Sequence, residues 1–421
     1  MNLSVETLKS DALDLWRAAS TGSPAPDSCY TVDQQVQKEA EVDRLMRDVD
    51  ISIDKLKRSG YALRKENAGI RSRIQRSIVQ LLHSFDCVID PEMERSFSIV
   101  TGEFIERAYE FDAQIGDEAV YQASRNVLIM NTFQMQLGRK IALTPSVFAY
   151  SMLYPYTDNY LDAVDISAPA KDERNEWMLL RLSGIAAKPR NRQERIVDRL
   201  VGMIEAEYDR RAYGNVYDSI LAIHNAQTRS VSQQCDNLSA AELLEISIEK
   251  GGASVLADGY LIAGEVSAAD AEFFFQFGVL LQLIDDLQDL QEDRSLQHLT
   301  LAGCAAAKGS LDNFTNQLLS FAATVLNPAR FHQEKLRILI GRSCRLLILE
   351  AIACNYNHYS DRYLLAMERC SPVRFKYLRN AKQQMKGKYD PHQFEELRKY
   401  RLPGRGFKRR NASECEVYAA S

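Results

Sequence analysis

The chain has 421 residues, 46% hydrophobic and 26% charged, with a net charge of −5. That balance suits a globular protein with a sizeable core and excludes the basic character that binds nucleic acid. Eight cysteines (Cys29, Cys87, Cys235, Cys304, Cys344, Cys354, Cys370 and Cys415) include no CxxC pair, and the six histidines show no zinc spacing. Reduced thiols in a cytoplasmic protein are therefore expected, rather than a disulfide framework or a zinc site.

The first residues, MNLSVETLKSDALDLW, are amphipathic and acidic, unlike a signal peptide, and no apolar run approaches a membrane span. Apolar residues recur at helical spacing nearly throughout, without strand alternation, so an all-α chain is expected. A short helix covers 3–19, and TGSPAPDSCY (21–30) reads as a linker. A charged helical region runs from about Val32 to Phe85, with a break near Gly60 or Gly69. Pro91 opens a helix, and Gly116 separates it from another that reaches about Gly138. Residues 1–89 are taken as an N-terminal helical extension, 90–385 as the main helical domain, and 386–421 as a basic tail.

Thr144-Pro145 is a strong helix start. The helix that follows, SVFAYSMLYPYTDNYLDAVD, should kink at Pro155 and stop at Pro169. Asp158, Asp162 and Asp165 share one of its faces, above Tyr154 and Ser151, with Phe148 nearby. Helices are expected at about 171–187, 191–212 and 215–235. Ser239 and Glu242 form a capping box for the next helix, which continues to about Leu261 and in which Gly251-Gly252 mark a break or a close backbone approach.

Ser267 caps the most informative stretch, and Phe273–Asp293 reads FFFQFGVLLQLIDDLQDLQED. Asp285, Asp289 and Asp293 follow one another turn by turn, flanked by Asp286, above an apolar stripe of Leu281, Phe277 or Gly278, and Phe274. Like charges one turn apart repel, and buried carboxylates need a partner. A divalent cation is the usual one, and Mg²⁺ takes oxygen ligands together with substrate phosphates. Two such acidic helices facing each other would make a metal clamp over an apolar pocket, suited to a diphosphate head with an oily tail. Cations for the diphosphate are sought in Arg229, Lys250 and Arg362, with Tyr363 beside the last. Phe148, Tyr154 and Phe274 could face the hydrocarbon, although plain core packing explains each as well. An apolar segment follows near 299–307, and further helices are expected at about 309–326, from Pro328 to about Met367, and after Pro372.

These residues resemble the class I isoprenoid synthase superfamily. Gln282-Leu-Ile-Asp285-Asp286-Leu-Gln-Asp289 is similar to the second aspartate-rich motif of trans-prenyl diphosphate synthases, FQxxDDxxD, with Leu281 for Phe. Asp158-Asn-Tyr-Leu-Asp162 resembles a degenerate first motif, DDxxD. Lys250 resembles the diphosphate-binding Lys of the KT motif, and Tyr356-x₅-Arg362-Tyr363 the WxxxxxRY motif of bacterial terpene synthases. The resemblance covers roughly residues 90–370. It implies a helical terpenoid-synthase-like bundle, three Mg²⁺ ions held by Asp158, Asp162, Asp285, Asp286 and Asp289, and an isoprenyl diphosphate substrate. Diphosphate binding falls to Arg229, Lys250, Gln282, Arg362 and Tyr363, and the pocket to Phe148, Tyr154, Phe274, Gly278 and Leu281.

Departures narrow the activity that is implied. The Arg pair that follows the first motif in chain-elongating members is absent, as are the upstream GKxxR element and the NSE motif of cyclases. The expectation is a terpene synthase that releases diphosphate, with a prenyltransferase, a non-catalytic helical partner and a plain helical scaffold as alternatives. A homodimer is left open.

Overall fold

The computed structural model describes residues 4–23, 29–58, 76, 77, 79–162, 166–234 and 238–388. No strand occurs among them, and the chain is an all-α bundle. Helix α1 (Val5–Ala18) is capped by the Ser4 hydroxyl and buries the stripe Leu8, Ala12, Leu13 and Trp16. Trp16 meets Phe321 edge-on at 5.7 Å and Phe314 at 5.8 Å, so the N-terminal helix shares the main core. Helix α2 (Val32–Arg58) is highly charged and docks near the other end of the chain. There the Gln35 amide donates to the Glu368 and Ser371 carbonyls at 2.7 and 2.9 Å, and Glu39 pairs with Arg374. The expected break near Gly60 or Gly69, Asp165 and the tail beyond Lys388 all lie outside the described residues.

Helices α3 (Pro91–Phe111), α4 (Asp117–Gln136), α5 (Pro145–Asp162), α6 (Ala168–Leu182), α7 (Arg192–Glu207) and α8 (Gly214–Ser230) follow. α5 continues through Pro155, and Pro169 sits in the first turn of α6, where its missing N–H is not needed. Helix α9 (Ala240–Ala263) carries the capping box of Ser239 and Glu242. Of the two readings of Gly251-Gly252, a break or a close backbone approach, the structure shows the second. The glycines serve close packing in an unbroken helix.

Helix α10 (Ala268–Gln288) starts on Ser267 and ends at Asp289. Asp293 therefore belongs to a separate short helix, α11 (Leu290–Ser295). Helices α12 (Leu301–Ala307), α13 (Asp312–Val325), α14 (Glu334–Cys354), α15 (Asp361–Glu368) and α16 (Phe375–Lys388) complete the bundle. The single helix expected from Pro328 to Met367 is thus two. It ends at Asn355, whose side-chain amide donates to the Leu287 carbonyl at 2.8 Å and ties the break to the end of α10.

The central pair is α9 and α10. Ser247 meets Asp286, Gly251 meets Gly278, and Gly259 meets Phe274, so the two helices run antiparallel. Around them α8 lies on α9, α13 and α14 on α10, and α1 on both, while α5 packs between α4 and α7. Phe133 of α4 sits among Phe273, Phe274 and Phe277 at 6.4, 4.7 and 5.5 Å. No disulfide joins the described cysteines, and no described helix is long and apolar enough to cross a membrane.

Candidate functional site

The acidic end of α10 is the best-formed polar site. Asp286 is buried. Its carboxylate accepts from the Ser247 hydroxyl and from the Gln282 amide, each at 2.8 Å. Burial pushes its pKa up, and those two hydrogen bonds and the Lys250 ammonium oppose the rise. Asp286 is therefore braced within the α9–α10 contact, and Gln282 holds Asp286. Lys250 stands close enough for its charge to be felt.

Asp285, Asp289 and Asp293 form the outer ladder. The backbone connects them, since the Asp289 amide bonds the Asp285 carbonyl and the Asp293 amide that of Asp289, each at 2.9 Å. Asp289 is exposed on one side, yet enough protein surrounds it that burial leads in raising its pKa to about 6. The Asp285 and Glu292 charges add to the rise, and Lys382 of α16 and Arg125 of α4 oppose it. Asp293 is pushed to about 7 by burial and then by Asp286, Asp289, Asp285 and Glu292. Lys382 is in turn paired with Glu350 at 2.9 Å, and the Gln288 amide donates to Glu350 at 2.9 Å. Ser247, Arg125, Lys382 and Glu350 were not singled out from sequence. Ser247 is one turn from Lys250 on α9, a spacing that could have found it, whereas the other three come from distant helices with no local signal.

The remaining expected residues divide. Asp158 and Asp162 lie at the end of α5, and their side chains are outside what is described. Arg229 is held by Glu249 and Glu245 at 2.5 and 3.3 Å, in a network with Lys9 of α1. Tyr363 is buried, stacks on Tyr359 at 5.5 Å, and donates its hydroxyl to Asn316 at 2.9 Å, so it points into α13. Arg362 is exposed on α15.

Three residues assigned to the pocket are packed against neighbouring helices. Phe148 is fully buried between Phe104 and Phe111, and Phe274 against Phe133. Gly278 touches the α9 backbone. Leu281 is half-buried. Tyr154 is 40% exposed and lines a cavity of about 40 Å³ between α4, α5, α6, α8 and α9. That is far below the 300–1,000 Å³ (approximately) of ordinary ligand pockets.

The donors on α10 fit a hard divalent cation by chemistry. They are carboxylate oxygens, and in Asp289 burial first and then the neighbouring Asp285 charge raise the pKa, a rise that positive charge would relieve. Among the described residues no three His, Cys, Asp or Glu side chains converge into a ligand group.

No protein-family model and no curated protein matches the chain. Among solved structures, the crystal structure of polyprenyl synthetase from Streptomyces coelicolor A3(2) is similar. The match covers 68% of this chain and 97% of that one, at 13% identity and a TM-score of 0.31. At that identity and score the likeness carries no functional argument.

Proposed function

We propose that the chain is a Mg²⁺-dependent enzyme of isoprenyl diphosphate chemistry, of the class I terpene synthase type. The observation that supports this most is the ladder Asp285, Asp289 and Asp293 at the end of an apolar helix, with the charge of Lys250 acting on the braced Asp286 beside it. In this reading Asp285 and Asp289 hold cations from α10, and Asp158 and Asp162 hold them from α5. Lys250 binds diphosphate oxygens by charge-assisted hydrogen bonds. Asp286, fixed by Ser247 and Gln282, sets the orientation of the α10 end. Bound Mg²⁺ supplies Lewis acidity to the departing diphosphate. The chain's own task is then to hold the allylic carbon skeleton away from water until diphosphate has left. Arg229, committed to Glu245 and Glu249, and Tyr363, committed to Asn316, have no part in this reading.

A second reading is a non-catalytic helical partner of such an enzyme. It is favoured by the interior, where Phe133, Phe274 and Phe277 pack against one another and the cavity that Tyr154 lines is only about 40 Å³.

The test is to incubate the full chain with Mg²⁺ and allylic diphosphates of ten, fifteen, twenty and twenty-five carbons, with and without isopentenyl diphosphate. Hydrocarbon or alcohol from one allylic substrate alone supports the terpene synthase. Product only with isopentenyl diphosphate moves the assignment to a prenyltransferase. Mg²⁺-dependent ligand binding without diphosphate release supports the non-catalytic partner.

A further inference from the structure

An open groove of about 490 Å³ is built from α3 and α7, out of residues that neither reading uses. Its volume falls in the range of roughly 300–1,000 Å³ of ordinary ligand pockets. Arg107, Glu110 and Phe111 line it from α3, and Arg199 and Met203 from α7. Gly202 and Ala206, one turn apart on α7, also line it, and their lack of bulk leaves the space beside Met203 open. The groove is therefore cationic in part and apolar in part.

Arg107 lies over the Phe148 ring at 4.6 Å, and Arg199 over the Phe111 ring at 4.3 Å. The two rings meet edge to face at 5.6 Å, so both cations stand on one aromatic pair. Among the described residues neither guanidinium makes a hydrogen bond or an ion pair. Arg192 and Arg181 differ, since Arg192 is paired with Asp112, and Arg181 with Asp198 and Glu205. Stacking holds a guanidinium by its face and leaves its N–H edges free to donate. Two such cations on one surface repel, and an anion that accepts from both relieves the repulsion. Glu110 pairs with neither arginine, and two arginines with one glutamate leave the lining with one net positive charge. That suits a carboxylate better than a phosphate monoester, which carries about −1.5 to −2. Phe111 and Met203 offer apolar surface to whatever carries the carboxylate.

We propose that this groove binds a small organic monoanion, its carboxylate held by Arg107 and Arg199 and its apolar body lying along Phe111 and Met203. The inference stands apart from the diphosphate reading, because it needs neither the acidic ladder nor Mg²⁺.

Isothermal titration of the full chain tests it, with octanoate and 1-octanol as probes, in chelator and without diphosphate. Octanoate should bind, and 1-octanol at least about tenfold more weakly, since hydrogen bonds to a charged group are the stronger ones. Arg107→Met and Arg199→Met, which keep an apolar stem over each ring, should each weaken octanoate by about tenfold. Gly202→Glu sets a competing carboxylate in the groove and should abolish octanoate binding. Nothing lies within 4 Å of a Cβ at Gly202, and Glu suits a helix better than Gly, so this variant should fold. If an arginine variant does not fold, Gly202→Glu still decides. No binding of octanoate, equal binding of octanoate and 1-octanol, or an octanoate affinity unchanged by Gly202→Glu or by both arginine variants would overturn the proposal.

Discussion

Gly251 and Gly278 bring the backbones of α9 and α10 into contact. A Cβ on Gly278 would lie 2.1 Å from the Gly251 carbonyl oxygen, and one on Gly251 would lie 2.5 Å from the Gly278 carbonyl oxygen. Backbone cannot swing aside as a side chain can, so Gly278→Ala must push the helices apart. We expect a loss of about 3 kcal/mol, the upper part of the usual overpacking range. Gly102→Ala is the matched control. It is also helical, but nothing lies within 4 Å of its Cβ position, so removing a flexible glycine should stabilise by roughly 0.5–1 kcal/mol. Urea unfolding of both variants reads the contrast. Equal effects would mean that the two helices are not in backbone contact.

That contact also shows where sequence reasoning stopped. The all-helical character, the Ser239 capping box and the Ser267 cap were legible, because each is written in neighbouring residues. Gly251-Gly252 read as either a break or a close backbone approach, and only the partner helix decides for close approach. Phe148 and Phe274 could be placed on stripes, but a stripe cannot distinguish core from pocket wall. Arg229 and Tyr363 looked available to a phosphate because Glu249 and Asn316, their partners, are distant in sequence or on another helix. The acidic ladder was legible as a local spacing. Arg125 and Lys382, which act on Asp289, come from two helices far from it in sequence.

Tyr363 separates the structural role from the one implied by resemblance. Its hydroxyl donates to Asn316 in a buried contact, and the Asn316 amide in turn donates to the Thr21 carbonyl at 2.9 Å. Tyr363→Phe leaves the Asn316 oxygen without that donor, at an expected cost of about 1–3 kcal/mol. Turnover per folded molecule with an allylic diphosphate should stay the same. A large fall in kcat with unchanged stability would return Tyr363 to the diphosphate site.

The outer carboxylates make metal-free stability depend on pH in an uncommon direction. Asp289 and Asp293 have folded pKa values raised to about 6 and about 7, above the value of about 4 expected for an unfolded Asp. Between those values the native state binds more protons than the unfolded state, so stability falls as pH rises through the window. In chelator, their contribution should be most favourable near pH 4 and lost above pH 7 (roughly). Asp289→Asn with Asp293→Asn should flatten that part of the profile, measured as urea midpoints against pH. A parent profile of the opposite slope, unchanged in the double variant, would contradict the raised values.

The same repulsion predicts how the ladder responds to cations. A divalent ion binding the folded state stabilises it by mass action, about 2.7 kcal/mol at a hundredfold excess over Kd. For a chain of this size that corresponds to several degrees in Tm, at roughly 2–4 °C per kcal/mol. Mg²⁺ with inorganic diphosphate should therefore raise Tm, and more than either alone, if Lys250 and the carboxylates hold the two together. Asp285→Ala and Asp289→Ala should each abolish most of the shift, because one carboxylate fewer leaves too little negative charge on α10. Lys250→Met should spare the response to Mg²⁺ alone and remove the added effect of diphosphate. A shift that survives in all three variants would place the cations elsewhere on the protein and withdraw the support that the ladder lends to isoprenyl diphosphate chemistry.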